Sequence, residues 1–199
     1  MEHLLACMFS DYLCKHNIIE NEYHSVYVYG TELILSFIIT VSIILFIGFA
    51  LNNIISSAVF LAVFIILRRF TGGYHASTYL RCKIVTVSTF LIVLLAAQLI
   101  KVNLWIYIIA LILGNTVIYF FAPIENPNKL LSDQEKCKFR RLSHVSYTAL
   151  SITGIIICIW TSINSSILLF SMLAVIALMI ISILKKGVKH DDESCKKDG

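Results

Sequence analysis

Six long stretches of this chain carry no charged residue, and the charges are confined to the segments between them. The stretches are 33–51, 54–67, 84–100, 102–121, 145–163 and 167–184. A helix needs roughly 20 apolar residues, within a range of about 17 to 25, to cross the hydrocarbon of a bilayer. The pattern therefore predicts an all-α integral membrane protein with six transmembrane helices. Composition agrees: 14% of the 199 residues are charged, against about 25% in a soluble domain. Disorder is excluded as well, since it requires few aromatic residues and this chain holds 12 Phe and 9 Tyr.

Position gives the charges their meaning. Lys and Arg accumulate in cytoplasmic loops. Here Arg68, Arg69, Arg81 and Lys83 follow the second span, and Lys129, Lys136, Lys138, Arg140 and Arg141 follow the fourth. Lys185, Lys186, Lys189, Lys196 and Lys197 follow the sixth. With an even number of spans these clusters share one side with Lys15 and the N-terminus, and Lys101 alone lies opposite. The expectation is a multi-pass protein of the cell membrane, with both termini and the 68–83 loop cytoplasmic. The net charge of +4 is then a topology signal, and no nucleic-acid partner is expected.

Three regions follow: an N-terminal segment 1–30, a six-helix domain 31–184 with cytoplasmic loops 68–83 and 122–144, and a charged cytoplasmic tail 185–199. In the first segment Met1, Leu4, Leu5, Met8, Phe9, Tyr12 and Leu13 recur at helical spacing, with Glu2, His3, Ser10 and Asp11 opposite. That is an amphipathic helix. Two placements fit it: the membrane interface, where it would meet lipids, or the protein's own cytoplasmic loops. It lacks the basic start and long apolar core of a signal peptide.

The six cysteines, Cys7, Cys14, Cys82, Cys137, Cys158 and Cys195, form no close pair, and five would face a reducing compartment, so no disulfide framework is expected. A zinc site needs about four converging ligands. Cys82, Cys137, His75 and His144 make such a set only on paper, and neither a metal nor another cofactor is expected.

Chemistry concentrates in Arg68-Arg69-Phe70-Thr71-Gly72-Gly73-Tyr74-His75-Ala76-Ser77-Thr78-Tyr79-Leu80-Arg81-Cys82, between spans two and three. Paired glycines permit backbone conformations closed to other residues and close approach to backbone N–H groups. A histidine serves as a base near neutral pH, and a cysteine flanked by cations is favoured as the nucleophilic thiolate. On one continuous helix His75 and Cys82 would be separated by about 10 Å of rise, beyond hydrogen-bond reach. A dyad therefore requires the chain to break, with His75 on a loop or helix end and Cys82 near the start of span three; a meeting across a dimer interface is the other solution. The second span has only 14 uncharged residues, about 21 Å of helix. Either Arg68 and Arg69 snorkel to extend it or the Gly-Gly loop is drawn toward membrane depth.

The string Arg-x-x-x-Gly-Gly-x-His-Ala, with Cys seven residues after His, resembles the signature of the accessory gene regulator B family, the AgrB-type membrane peptidases of Gram-positive quorum sensing. Ala122-Pro123-Ile124-Glu125-Asn126-Pro127-Asn128-Lys129 resembles that family's second loop motif. The resemblance implies a cysteine endopeptidase that removes the C-terminal tail of an AgrD-type precursor peptide. It holds the remainder as an acyl-enzyme thioester and releases it as a thiolactone or lactone ring. Carried over, Cys82 is the nucleophile and His75 the base. Arg68 and Gly73 match further motif positions, with Arg69 and Gly72 beside them. The family also implies a homodimer.

Around this loop, Glu125, Asn126 and Asp133 are candidates to orient His75. Ser132 with Glu135 reads as a capping box opening a short helix toward Arg141, suited to anionic lipid headgroups or an acidic substrate tail. Gln98, Gly114 and Asn115 are small or polar positions within spans, whose default role is helix contact. A transporter or export factor for a peptide is the competing class. It is disfavoured because no Asp, Glu, Lys or Arg falls inside the six stretches.

Overall fold

The computed structural model describes residues 2–16, 18–72, 79–100, 102–124, 132–160 and 162–195. Its described regular elements are helical: α1 (Glu2–Lys15), a single 3-10 turn (Asn21–Tyr23), α2 (His24–Ala50), α3 (Ile54–Thr71), α4 (Tyr79–Leu99), α5 (Leu104–Phe121), α6 (Asp133–Trp160) and α7 (Ser162–Cys195). Six of these, α2 to α7, are long and apolar enough to cross a membrane. The protein is an all-α, multi-pass membrane protein with an additional helix at its N-terminus.

Helix α7 is the hub, packing against α3, α4, α5 and α6. Its Leu169, Met172, Val175 and Met179 are buried among Phe60, Phe64 and Leu67 of α3 and Phe90 of α4. Phe60 stacks on Phe64 and tilts against Phe90, each at 5.2 Å between ring centroids. Small residues bring the backbones together, as membrane helix contacts require. A Cβ at Gly48 of α2 would overlap the Ser57 side chain of α3.

Two of the short connections have identifiable local causes. Between α2 and α3, Asn52 takes a left-handed φ of 53°, a conformation asparagine tolerates better than most residues. The Asn53 amide then donates back to the Gly48 carbonyl at 2.7 Å. At the start of α5 the Asn103 side chain accepts from the Ile106 amide at 2.9 Å, a cap that contributes about 1 kcal/mol.

Helix α1 packs on α2 through Ala6 and Ser10, with polar contacts at its margins. His3 meets Glu32, and Asp11 accepts from His24 at 2.9 Å. Ala6 and Ser10 are fully buried, whereas Leu4, Leu5, Met8, Phe9 and Tyr12 are exposed. The apolar face of α1 is thus left uncovered by the rest of the described structure.

Three boundaries differ from the sequence reading. The first span belongs to a helix that starts at His24, nine residues before Leu33, so Glu32 lies inside it. The helix opened by Ser132 is not a short separate one: it continues through the fifth span as α6. Its capping box forms as expected, with the Ser132 amide donating to Glu135 Oε2 at 3.0 Å and the Glu135 amide to Ser132 Oγ at 3.3 Å. Likewise α7 runs beyond residue 184 into the charged segment, as far as Cys195.

Candidate active site

Arg68 and Arg69 occupy the last turn of α3, and their consecutive positions send them different ways. Arg68 is half-buried and Arg69 exposed. The Arg68 guanidinium lies over the Phe64 ring at 5.2 Å, and its Nη2 donates to Cys82 Sγ at 3.9 Å. Arg69 instead lies over Phe70 at 5.9 Å. Of the two adjacent arginines, Arg68 is the one at the sulfur.

Cys82 is the fourth residue of α4 and half-buried, near the start of the third span. A first-turn position adds the positive end of the helix dipole to the guanidinium. Both place positive potential at the sulfur, where negative charge develops in nucleophilic attack. Further along the helix, the Thr86 hydroxyl donates to the Cys82 carbonyl at 2.9 Å.

Gly72 ends α3 with φ +70° and ψ −151°, a region open in practice only to glycine. Beside it the second loop docks. The Ile124 amide donates to the Thr71 carbonyl at 3.0 Å, and Gly72 and Ile124 form an isolated parallel bridge. Arg140 of α6 reaches back to the Ala122 carbonyl, Nε to O 3.2 Å. The segments carrying the two sequence motifs are thus joined backbone to backbone at the end of α3.

Gly73, His75, Glu125 and Asn126 lie outside the described residues, as does the distance between His75 and Cys82. Asp133 begins α6. The His144 Nδ1 lies 3.3 Å from Asn115 Oδ1 and its ring packs edge-on to Tyr119. Asn115 accordingly makes an interhelical polar contact. Among the described residues no group of three or more His, Cys, Asp or Glu is disposed to hold a metal ion.

Sequence reasoning missed Glu32. Its side chain is only 15% exposed and meets His3 of α1. The available signal was a single carboxylate abutting an apolar run, which reads equally as the edge of a loop.

Comparison with known proteins places this arrangement. The family model for accessory gene regulator B matches residues 6–184. The chain belongs to the AgrB family. It is similar to two AgrB-like proteins of Clostridium perfringens, one from strain 13 and one from strain SM101, both named only for their likeness to the family. Each is 24% identical over 126 residues, covering 60% of this chain and 59% of the relative. The match thus spans less than two thirds of the length of either relative. No solved structure matches significantly.

Proposed function

We propose that this AgrB-family protein is a membrane cysteine endopeptidase acting on an AgrD-type precursor peptide in quorum sensing. The observation that carries the proposal is Cys82 in the first turn of α4 with the Arg68 guanidinium on its sulfur. His75 takes the Cys82 proton, the thiolate attacks the scissile carbonyl, and the imidazolium protonates the departing amine. Arg68 steadies negative charge on sulfur. A nucleophile within the substrate then displaces Cys82 from the thioester and closes a thiolactone or lactone ring, so water has to be kept from the acyl-enzyme. The joined loops at the end of α3 support such exclusion. In this reading Gly73, Glu125 and Asn126 help to bind the peptide or orient His75, the site faces the cytoplasm, and the protein works as a homodimer in the lipid bilayer.

The test uses purified protein and its precursor peptide. Wild type releases the C-terminal tail and accumulates a hydroxylamine-sensitive adduct on Cys82, whereas Cys82→Ala and His75→Ala do neither. Cleavage unchanged in either variant eliminates the dyad.

A further inference from the structure

Helix α5 stops at Phe121 because Pro123 cannot continue it. Ala122, the residue before the proline, is extended at φ −86° and ψ 147°, as such a residue prefers to be. Carbonyls at the end of a helix have no partner within it, and Ala122 is only 1% exposed, so its oxygen is screened from water as well. A buried carbonyl left without a donor is costly. Arg140, the eighth residue of α6, supplies the donor: its side chain is bent back onto Ala122, with Nε 3.2 Å from the oxygen.

What this bond fixes is carried forward almost rigidly. The Ala122 carbonyl shares one peptide plane with the nitrogen and Cα of Pro123. The pyrrolidine ring locks the Pro123 φ at about −65°, and the Pro123 carbonyl shares the next plane with the Ile124 amide. A single soft torsion, the Pro123 ψ, therefore separates the oxygen held by Arg140 from the Ile124 N–H. That N–H donates to the Thr71 carbonyl at 3.0 Å, where Ile124 also pairs with Gly72. The same last turn of α3 carries Arg68, whose guanidinium is on the Cys82 sulfur.

We propose that Arg140 is a positioning residue of the candidate active site: by gripping the Ala122 carbonyl it aims the Ile124 amide at Thr71 and holds the second loop against the end of α3. The proposal deepens the peptidase reading and rests on it for the consequence in catalysis, which is the exclusion of water from the acyl-enzyme. The grip itself can be read without any substrate.

The first measurement is amide hydrogen exchange at Ile124 in the full-length protein in detergent micelles, resolved by mass spectrometry of peptide fragments. Pro123 has no amide, so the step from residue 122 to residue 124 reports Ile124 alone. Arg140→Ala and Arg140→Met, the second keeping an unbranched stem, are each expected to speed this exchange about tenfold or more, the scale of losing a hydrogen bond from a charged donor. Arg140→Lys, whose ammonium can still donate, recovers part of the protection. Arg141→Ala, which removes the same charge from an exposed neighbour, stays within about twofold of wild type, because exposed charges are screened. Wild-type exchange in the alanine and methionine variants overturns the proposal, and so does an equal rise in Arg141→Ala. The methionine variant decides the matter where the alanine variant fails to fold.

The second measurement is the ratio of linear to cyclic peptide formed from the precursor. Water that reaches the thioester breaks its C–S bond, leaving the linear peptide with a free carboxylate and the sulfur as thiolate. The ratio does not depend on how much of the protein is folded, so a loss of stability alone does not move it. It is expected to rise about threefold or more in Arg140→Ala and Arg140→Met, with Arg140→Lys between them and wild type. Faster exchange at Ile124 with an unchanged ratio overturns the positioning role. A wild-type protein that cleaves no precursor counts against the peptidase reading alone, and exchange still judges the grip of Arg140 on the loop.

Discussion

Gly72 lies so close to Ile124 that a side chain on Gly72 would overlap the Ile124 carbonyl oxygen. The obstruction is backbone, which cannot rotate away, and the glycine also holds a φ of +70°. Gly72→Ala therefore combines strain of about 1–3 kcal/mol with separation of the two loops. The expected outcome is a lower melting temperature in detergent and precursor cleavage reduced about tenfold or more. Wild-type values for both would mean that the bridge between residues 72 and 124 is dispensable.

Arg68 and Arg69 are adjacent in sequence but not equivalent. Arg68→Ala removes the group donating to Cys82 Sγ and is expected to lower kcat for precursor cleavage about tenfold to a hundredfold, the range for loss of an electrostatic stabiliser. Arg69→Ala, altering an exposed side chain over Phe70, should stay within about threefold. Arg68→Lys recovers only part of the loss, because an ammonium lacks the planar fork that spans Phe64 and the sulfur together. Equal effects of the two alanine variants would contradict the geometry.

Much of this architecture was legible because bilayer thickness imposes a length on uncharged runs, and six such runs became α2 to α7. Cys82 near a helix start followed from helix geometry once a dyad with His75 was supposed. The setting of Glu32 was not legible, because nothing in the sequence shows that α1 brings His3 onto a carboxylate at the edge of a span. The docking of Ile124 on Thr71 escaped for a different reason: it is made by backbone groups, which leave no side-chain signature. Nor did the sequence show that α1 meets α2 through Ala6 and Ser10 and leaves its apolar face uncovered, since periodicity defines two faces without saying which one meets α2.

The positive-inside pattern places Cys137 in the cytoplasm and residue 51 outside, and both side chains are exposed. In a protein whose other cysteines are serine, Cys137 should resist a membrane-impermeant maleimide applied to intact cells and react in inverted vesicles. Leu51→Cys in a cysteine-free background should show the opposite. Labelling of Cys137 from outside the cell would reverse the orientation and remove the catalytic loop from the cytoplasm.

Helices α5 and α6 exchange a matched pair of contacts. The Tyr147 hydroxyl of α6 sits over Gly114 of α5, and the Tyr107 hydroxyl of α5 sits over Gly154 of α6. Both hydroxyls are buried with no hydrogen-bond partner among the described residues, so each glycine is there to admit an aromatic ring rather than to relieve backbone strain. Gly114→Ala should destabilise the protein by about 1–3 kcal/mol through overpacking. Tyr147→Phe should be neutral or stabilising, because it deletes an unsatisfied buried oxygen. The double variant should recover part of the alanine's cost and no more, since the Ile176 Cδ1 atom still lies 2.6 Å from the new Cβ. Melting temperatures of the three variants in one detergent decide it: purely additive shifts would show that the hydroxyl does not occupy the space Gly114 leaves open.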